Sequence, residues 1–246
     1  MIKVVIVGET CTDRFIYCTT NRICPEAPVP VLEPTSITTN PGMAGNTLEN
    51  VKALSPDASI KIYTQSDQIA KTRYVEKKSN QMFIRVDEGE KNIQSLVWNE
   101  SFEKDLIQAD IVIVSDYNKG FLTDEHLSKI GQLSRLSILD SKRRLNTEVV
   151  KNYNFIKLNE KEYNSNQHLE HQGVVVTLGS AGSMFKGKTF PSPSPQETID
   201  VSGAGDTFTA AFIVKYFQTK SEDTSIVFAN KMASKVVSKR GVVPCF

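Results

Sequence analysis

Histidine and tryptophan are scarce in this chain, with three His and one Trp among 246 residues. Two of the histidines, His168 and His171, stand about one helical turn apart, but no third ligand lies near and Glu170 faces elsewhere. A zinc site is therefore not expected there, only a surface helix end. Cysteine is sparse too. Cys11, Cys18, Cys24 and Cys245 form no C-x-x-C pair, so neither a metal knuckle nor a disulfide framework is expected, and a reducing cytoplasm fits. No apolar run reaches membrane-spanning length. The opening residues 1–8 turn polar too quickly for a secretory signal and read as a buried strand. An excess of charge is also absent, 29 Lys and Arg standing against 28 Asp and Glu. That excludes a general attraction to nucleic acid or membrane and leaves room for a local basic pocket.

The length suffices for one large α/β core, and a single domain over residues 1–246 is expected. Short β-branched runs at 4–7, 111–114, 138–139 and 174–178 suit parallel strands covered on both faces. Further strands are expected at 59–64 and 155–158. Helical patterns at 43–54, 93–109, 123–133 and 159–169 alternate with them, each flanked by capping or turn residues. Such alternation predicts a doubly wound, three-layer α/β/α fold with a mostly parallel sheet. Residues 29–37 and 72–87 alternate apolar with polar and read as antiparallel strands. The proline-rich stretch 191–195 reads as a stiff connector.

The most informative stretch is Asp200-Val201-Ser202-Gly203-Ala204-Gly205-Asp206-Thr207-Phe208. Gly203, Ala204 and Gly205 lack bulk, so successive backbone N–H groups can converge on an anion and lead into a helix expected over 204–217. A phosphate there would be held without any lysine. Asp206, in the first helical turn, stands where a base for a hydroxyl nucleophile belongs. A second glycine run, Gly182-Ser183-Met184-Phe185-Lys186-Gly187-Lys188-Thr189, fits the P-loop pattern literally. A P-loop must open a helix, however, and Pro191, Pro193 and Pro195 forbid one here. Residues 183–190 are expected to form a hairpin instead.

Other runs follow in order: Pro41-Gly42-Met43-Ala44-Gly45-Asn46, Lys71-Thr72-Arg73-Tyr74, Ser115-Asp116-Tyr117-Asn118-Lys119-Gly120 and Asn159-Glu160-Lys161-Glu162. With the glycine turn, they make nearly the whole chain resemble the PfkB (ribokinase-like) carbohydrate kinases. Gly8-Glu9-Thr10-Cys11-Thr12-Asp13-Arg14 and Arg22-Ile23-Cys24-Pro25-Glu26-Ala27-Pro28-Val29-Pro30-Val31 resemble a narrower group within that family. It comprises the D-glycero-beta-D-manno-heptose 7-phosphate kinases of lipopolysaccharide precursor synthesis.

The resemblance implies a small β lid from strands within about 14–40 and 72–87. It implies ATP and Mg2+ as cofactors, a sugar phosphate as acceptor, a cytoplasmic enzyme and a homodimer through the lid. It implies Asp206 as the base, with Gly203, Ala204 and Gly205 as the anion hole. ATP would meet Asn159, Lys142, Thr177 and Gly179, and magnesium Glu162. Substrate would meet Asp13, Arg14, Gly42, Asn46, Arg73, Arg85, Asp116 and Lys119. Arginine suits the substrate's own phosphate because its fork of donors matches the phosphate oxygens. Met43 stands where the family carries a second glycine, which would narrow backbone access to the sugar, and Glu9 replaces a common Asp. Residues 46–72 leave room for one helix and one strand where family members carry another pair. The chain has no H-x-G-H run, so the adenylyltransferase module fused to some heptose kinases is not expected. The rivals are a kinase for another sugar and a non-catalytic sugar- or nucleotide-binding protein.

Overall fold

The computed structural model describes residues 1–193, 202–238 and 245. In chain order the elements are β1 (Lys3–Gly8), β2 (Thr10–Thr19), β3 (Glu33–Met43), α1 (Ala44–Leu54), β4 (Ser59–Tyr63), β5 (Ala70–Glu76) and β6 (Met82–Glu88). There follow α2 (Glu100–Gln108), β7 (Ile111–Asp116), α3 (Asp124–Leu133), β8 (Ser137–Ser141), α4 (Thr147–Val150), β9 (Phe155–Asn159) and α5 (Glu160–Ser165). The last are β10 (Val174–Thr177), β11 (Ser183–Phe185), β12 (Lys188–Phe190), α6 (Ala204–Thr219) and α7 (Glu222–Val237).

One sheet runs β12-β11-β10-β9-β8-β7-β1-β4, parallel from β10 to β4 and antiparallel at β11 and β12. Because successive side chains on a strand point to opposite faces, each apolar run feeds two cores. Val4, Ile6, Ile111 and Ile113 pack with α1, α6 and α7, whereas Val5, Val7, Val112 and Val114 pack with α2 and α3. This is the doubly wound α/β architecture expected. Helix α6 is buried continuously from Asp206 to Val214 because α1 and α7 cover the side turned from the sheet.

A second sheet, β3-β2-β5-β6, stands over the strand ends. Its outer pairs are antiparallel, but β2 and β5 run parallel. β2 begins at Thr10, ahead of the lid strands expected within about 14–40, and so takes in Asp13. Asp13 is buried in mid-strand, ion-paired with Arg73. The strand expected at 29–37 begins only at Glu33 and runs on to Met43. The helix expected at 93–109 starts at Glu100, where the Asn99 side chain caps it by accepting from the Phe102 N–H at 2.9 Å. The helix expected at 159–169 stops at Ser165, since Asn166 turns its side chain back to the main chain of Leu145 and Glu162. The P-loop look-alike folds as the β11–β12 hairpin, and Lys188 pairs with Asp223 at the surface. Ser194, Pro195, Asp200 and Val201, named in the connector and the glycine signature, lie outside the described residues.

Candidate active site

The chain winds from β1 to β4 on one side and from β7 onwards on the other, so strand order reverses between β1 and β7. Open parallel sheets bind ligands at that reversal, beyond the carboxyl ends of the strands. On the β7 side of that reversal a cavity of about 520 Å³ opens between the ends of β8 to β10 and the start of α6. Lys142, Asn159, Thr177, Gly179 and the turn from Gly203 to Asp206 line it.

Gly203 caps α6 in the left-handed conformation, φ 80°. A Cβ on Gly205 would come within 2.9 Å of the Lys157 Nζ, so the bare turn rests against a buried ammonium. The turn is therefore not free of lysine: Lys157, 2% exposed, borders the same cavity as Lys142. Two cations and the turn's N–H groups fit the charge of a polyphosphate. Lys157 pairs with Asp140 at 3.0 Å, and Asp140 also accepts from the Thr209 hydroxyl at 3.0 Å. Burial pushes the Asp140 carboxyl up, but the ammonium groups of Lys142 and Lys157 outweigh it and hold it at about 2.

Asp206 is 5% exposed. Its Oδ1 accepts from the Tyr117 hydroxyl at 2.8 Å and its Oδ2 from Asn46 Nδ2 at 3.0 Å. Burial, and then the charge of Asp140, push its carboxyl up to about 6 against those two hydrogen bonds. A carboxylate tuned so close to neutrality is suited to taking a proton and later releasing it.

The inner face of the four-stranded sheet carries the cations. Strand register puts Asp13, Lys71, Arg73, Arg85 and Asp87 on one face. Arg73 is engaged with Asp13, and Arg85 with Asp87 through two contacts of 2.7 Å. Lys71 and Lys119 share Glu90, at 3.4 and 2.6 Å, and Lys71 lies 5.5 Å from the Tyr117 ring centre. Gly42 makes the room: a Cβ there would stand 2.1 Å from Asp13 Oδ2.

Several expected contacts are placed differently. Arg14 follows Asp13 and so points to the opposite face of the sheet. Asp116 is fully buried, its oxygens taken by Arg143 Nε at 2.6 Å, Arg143 Nη2 at 2.9 Å and the Ser141 hydroxyl at 2.5 Å. It braces the loop after β7 and does not face the cavity. Asn46 spends its amide protons on Asp206 and the Gly203 carbonyl. Asn159 and Glu162 form a reciprocal capping box at the start of α5, which leaves Glu162 Oε1 on Lys142 at 2.8 Å. Met43 is the residue expected to narrow access to the sugar. Its side chain is buried in the core that holds Val7 and Ile69, although its φ of 56° is a strained backbone for any residue but glycine.

Tyr117, Asp140, Lys157 and Lys71 were missing from the expected set. Lys157 had a signal in the sequence, a lone charge among the apolar residues Phe155, Ile156 and Leu158, whereas Asp140 stands between Leu139 and Ser141. Among the described residues no group of three or more His, Cys, Asp or Glu could hold a metal. Magnesium fits only with Glu162 as a single protein carboxylate, completed by phosphate oxygens and water. Among the same residues no helix is long and apolar enough to cross a membrane.

The layered sheet with a stranded cover is the ribokinase fold. Ribokinase of Arabidopsis thaliana, solved with ribose and ATP, matches with a TM-score of 0.76 at 16% identity, over 99% of this chain and 96% of that one. Phosphofructokinase-2 of Escherichia coli, solved with potassium, matches with 0.72 at 17% identity, over 98% and 94%. The sequence profile of the pfkB family carbohydrate kinases matches residues 56–246. The chain belongs to that family. Curated relatives include the bifunctional protein HldE of Nitratiruptor sp., 28% identical over 97% of this chain and 62% of its own length. HldE of Helicobacter pylori J99 is 29% identical over 98% and 64%. The chain thus spans less than two thirds of these relatives.

Proposed function

We propose that the chain transfers the γ-phosphoryl group of ATP to a hydroxyl of a sugar phosphate, with O1 of D-glycero-D-manno-heptose 7-phosphate as acceptor. One observation carries this reading: Asp206, its carboxyl at about 6, stands between a glycine turn backed by ammonium groups and a cation-rich sheet face. A nucleotide alone needs no such base. A free sugar alone needs no such charge.

Asp206 accepts the proton of the attacking hydroxyl as its oxygen bonds to the γ-phosphorus and the bond to the leaving ADP oxygen breaks. The N–H groups of Gly203 to Asp206, with Lys142 and Lys157, hold the charge on the transferring group. Magnesium, when bound, would neutralise phosphate charge, with Glu162 as its protein ligand after Lys142 turns to the nucleotide. Lys71, Lys119, Arg73 and Arg85 meet the acceptor's own phosphate, and Asp13 its hydroxyls. The runs at residues 8–14 and 22–31 support a heptose phosphate over other sugars. The enzyme works in the cytoplasm, where ATP is supplied. The outer face of the lid sheet aligns Ile37, Ile16, Tyr74 and Ile84 in one cross-strand row, with Ile37 59% and Ile84 53% exposed. A second copy of the chain covers that row.

Phosphorus NMR of ATP with magnesium and a panel of sugars and sugar phosphates tests the reading. A new phosphoester with the heptose 7-phosphate and ADP in equal amount is expected. Faster turnover of another sugar phosphate would move the acceptor assignment. Nucleotide binding without acceptor-dependent ADP would make the chain a binding protein.

A further inference from the structure

Behind Asp206 lies a chain of buried amides that the chemistry above does not use. The main-chain N–H of Cys245 donates to Asn50 Oδ1 at 3.1 Å. Asn50 Nδ2 donates to the Asn46 carbonyl at 2.9 Å and to Asn46 Oδ1 at 3.1 Å. Asn46 Nδ2 then donates to Asp206 Oδ2 at 3.0 Å and to the Gly203 carbonyl at 3.2 Å. Asn46, Asn50 and Cys245 are each at most 1% exposed.

The direction of this chain is forced. An N–H can only donate, so the Cys245 amide holds the oxygen end of Asn50 and leaves its NH2 end for Asn46. That NH2 end holds the oxygen end of Asn46 and leaves the Asn46 NH2 end for Asp206. If either amide turned over, an oxygen would face an oxygen and an NH2 would face an N–H, unsatisfied and away from water. The two side chains lie one helical turn apart on α1, which sets their spacing without help from the rest of the fold.

We propose that Asn50 is a positioning residue for phosphoryl transfer, transmitting the donor direction of the Cys245 main chain through Asn46 to Asp206. It touches neither base nor substrate. Its effect is to keep a donor, never an acceptor, on the carboxylate. This rests on the kinase reading above in assigning Asp206 the proton. The groups that bear on Asp206 are Asn46 from α1, Tyr117 after β7, Asp140 and Lys142 at β8, Lys157 from β9 and Cys11 from β2. Only the first is steered by Asn50.

Asn50→Ala and Asn50→Asp in the full chain test it, with kcat, both KM values and the pH profile measured. The expected result is a kcat lowered about 10–100-fold with each KM within about threefold. The acid limb should move to higher pH, because Asp206 has lost a donor that favours its charged form. Asn50→Asp should suffer more than Asn50→Ala. It keeps the shape, but its carboxylate oxygens face Asn46 Oδ1 and turn that amide over. A packing role would reverse this order, and that reversal, or an unmoved acid limb, would overturn the proposal. A second measurement needs no variant at position 50. In 15N-labelled wild type the Asn50 side-chain amide should titrate at the Asp206 midpoint, and Asp206→Asn should abolish the titration. A flat Asn50 amide would overturn the proposal even if both variants fail to fold. Absence of phosphoryl transfer in the wild type would defeat the kinase reading and leave the amide titration to stand or fall separately.

Discussion

Strands β7 and β6 are both short and both carry isoleucine and valine, yet all of β7 is buried and nearly all of β6 is exposed. The contrast extends to their charges. Beside β7, the carboxylate of Asp140 is 4% exposed and paired with a lysine that is 2% exposed. On β6, Arg85 and Asp87 make a closer pair, 2.7 Å against 3.0 Å, with side chains 38% and 33% exposed. One region sets buried charge against the glycine turn that opens α6. On the cover only the Arg85–Asp87 pair stands in screening water, while Arg73 and Asp13 pair with side chains 12% and 7% exposed. Buried pairs belong to the layer and the centre of the cover, and exposed pairs to its edge strand β6.

The sharpest way to break that contrast is Asp206→Asn. It should lower kcat by about 100–10,000-fold while ATP binds as before, checked by product NMR and calorimetry. The same variant should be more stable at alkaline pH. The carboxyl rises from 3.8 to about 6 on folding, so the folded state binds the proton more tightly. Its stabilising contribution is full below the unfolded value and lost as pH climbs through the folded one, about 3 kcal/mol in all. Equal melting temperatures for the two proteins at pH 8 would show that the carboxylate is not desolvated as described.

Next comes the pair of ion pairs. Lys157→Met strands a buried carboxylate and should cost about 3–5 kcal/mol in urea unfolding. Arg85→Met should cost less than about 1 kcal/mol. Similar losses would erase the distinction between buried and exposed pairs.

Apolar burial makes the same comparison at smaller scale. Ile113→Ala should cost about 2–5 kcal/mol and Ile84→Ala, in dilute protein, under about 0.5 kcal/mol. A loss at Ile84 that grows with protein concentration would show that a second copy covers it. The smallest effect is expected at Lys188, whose change to Ala should leave turnover within about threefold. A loss on the order of a thousandfold, the scale of a phosphate-binding charge, would return the 182–189 run to the site.

The glycine turn, Asp206 and the strands of the layer were legible because local rules act there. Small residues before a helix make an anion turn, and unbroken β-branched runs make buried parallel strands. The hairpin at 183–190 was legible for the same reason, since proline spacing is local. Arg14 and Asp116 were misjudged because each is polar and lies in a stretch of suggestive residues. Only pairing register shows that Arg14 faces outward, and only packing shows that Arg143 encloses Asp116.

By itself the sequence determined the class of fold, the glycine turn that opens α6 and the acid beside it, since each depends on neighbours within a few positions in the chain. The tertiary structure decided what surrounds that acid. Tyr117, Asn46, Asp140 and Lys157 converge on it from four separate elements, so the value of about 6 for its carboxyl is written in no local stretch. Desolvation and charge act through space, and only folding brings those groups within reach.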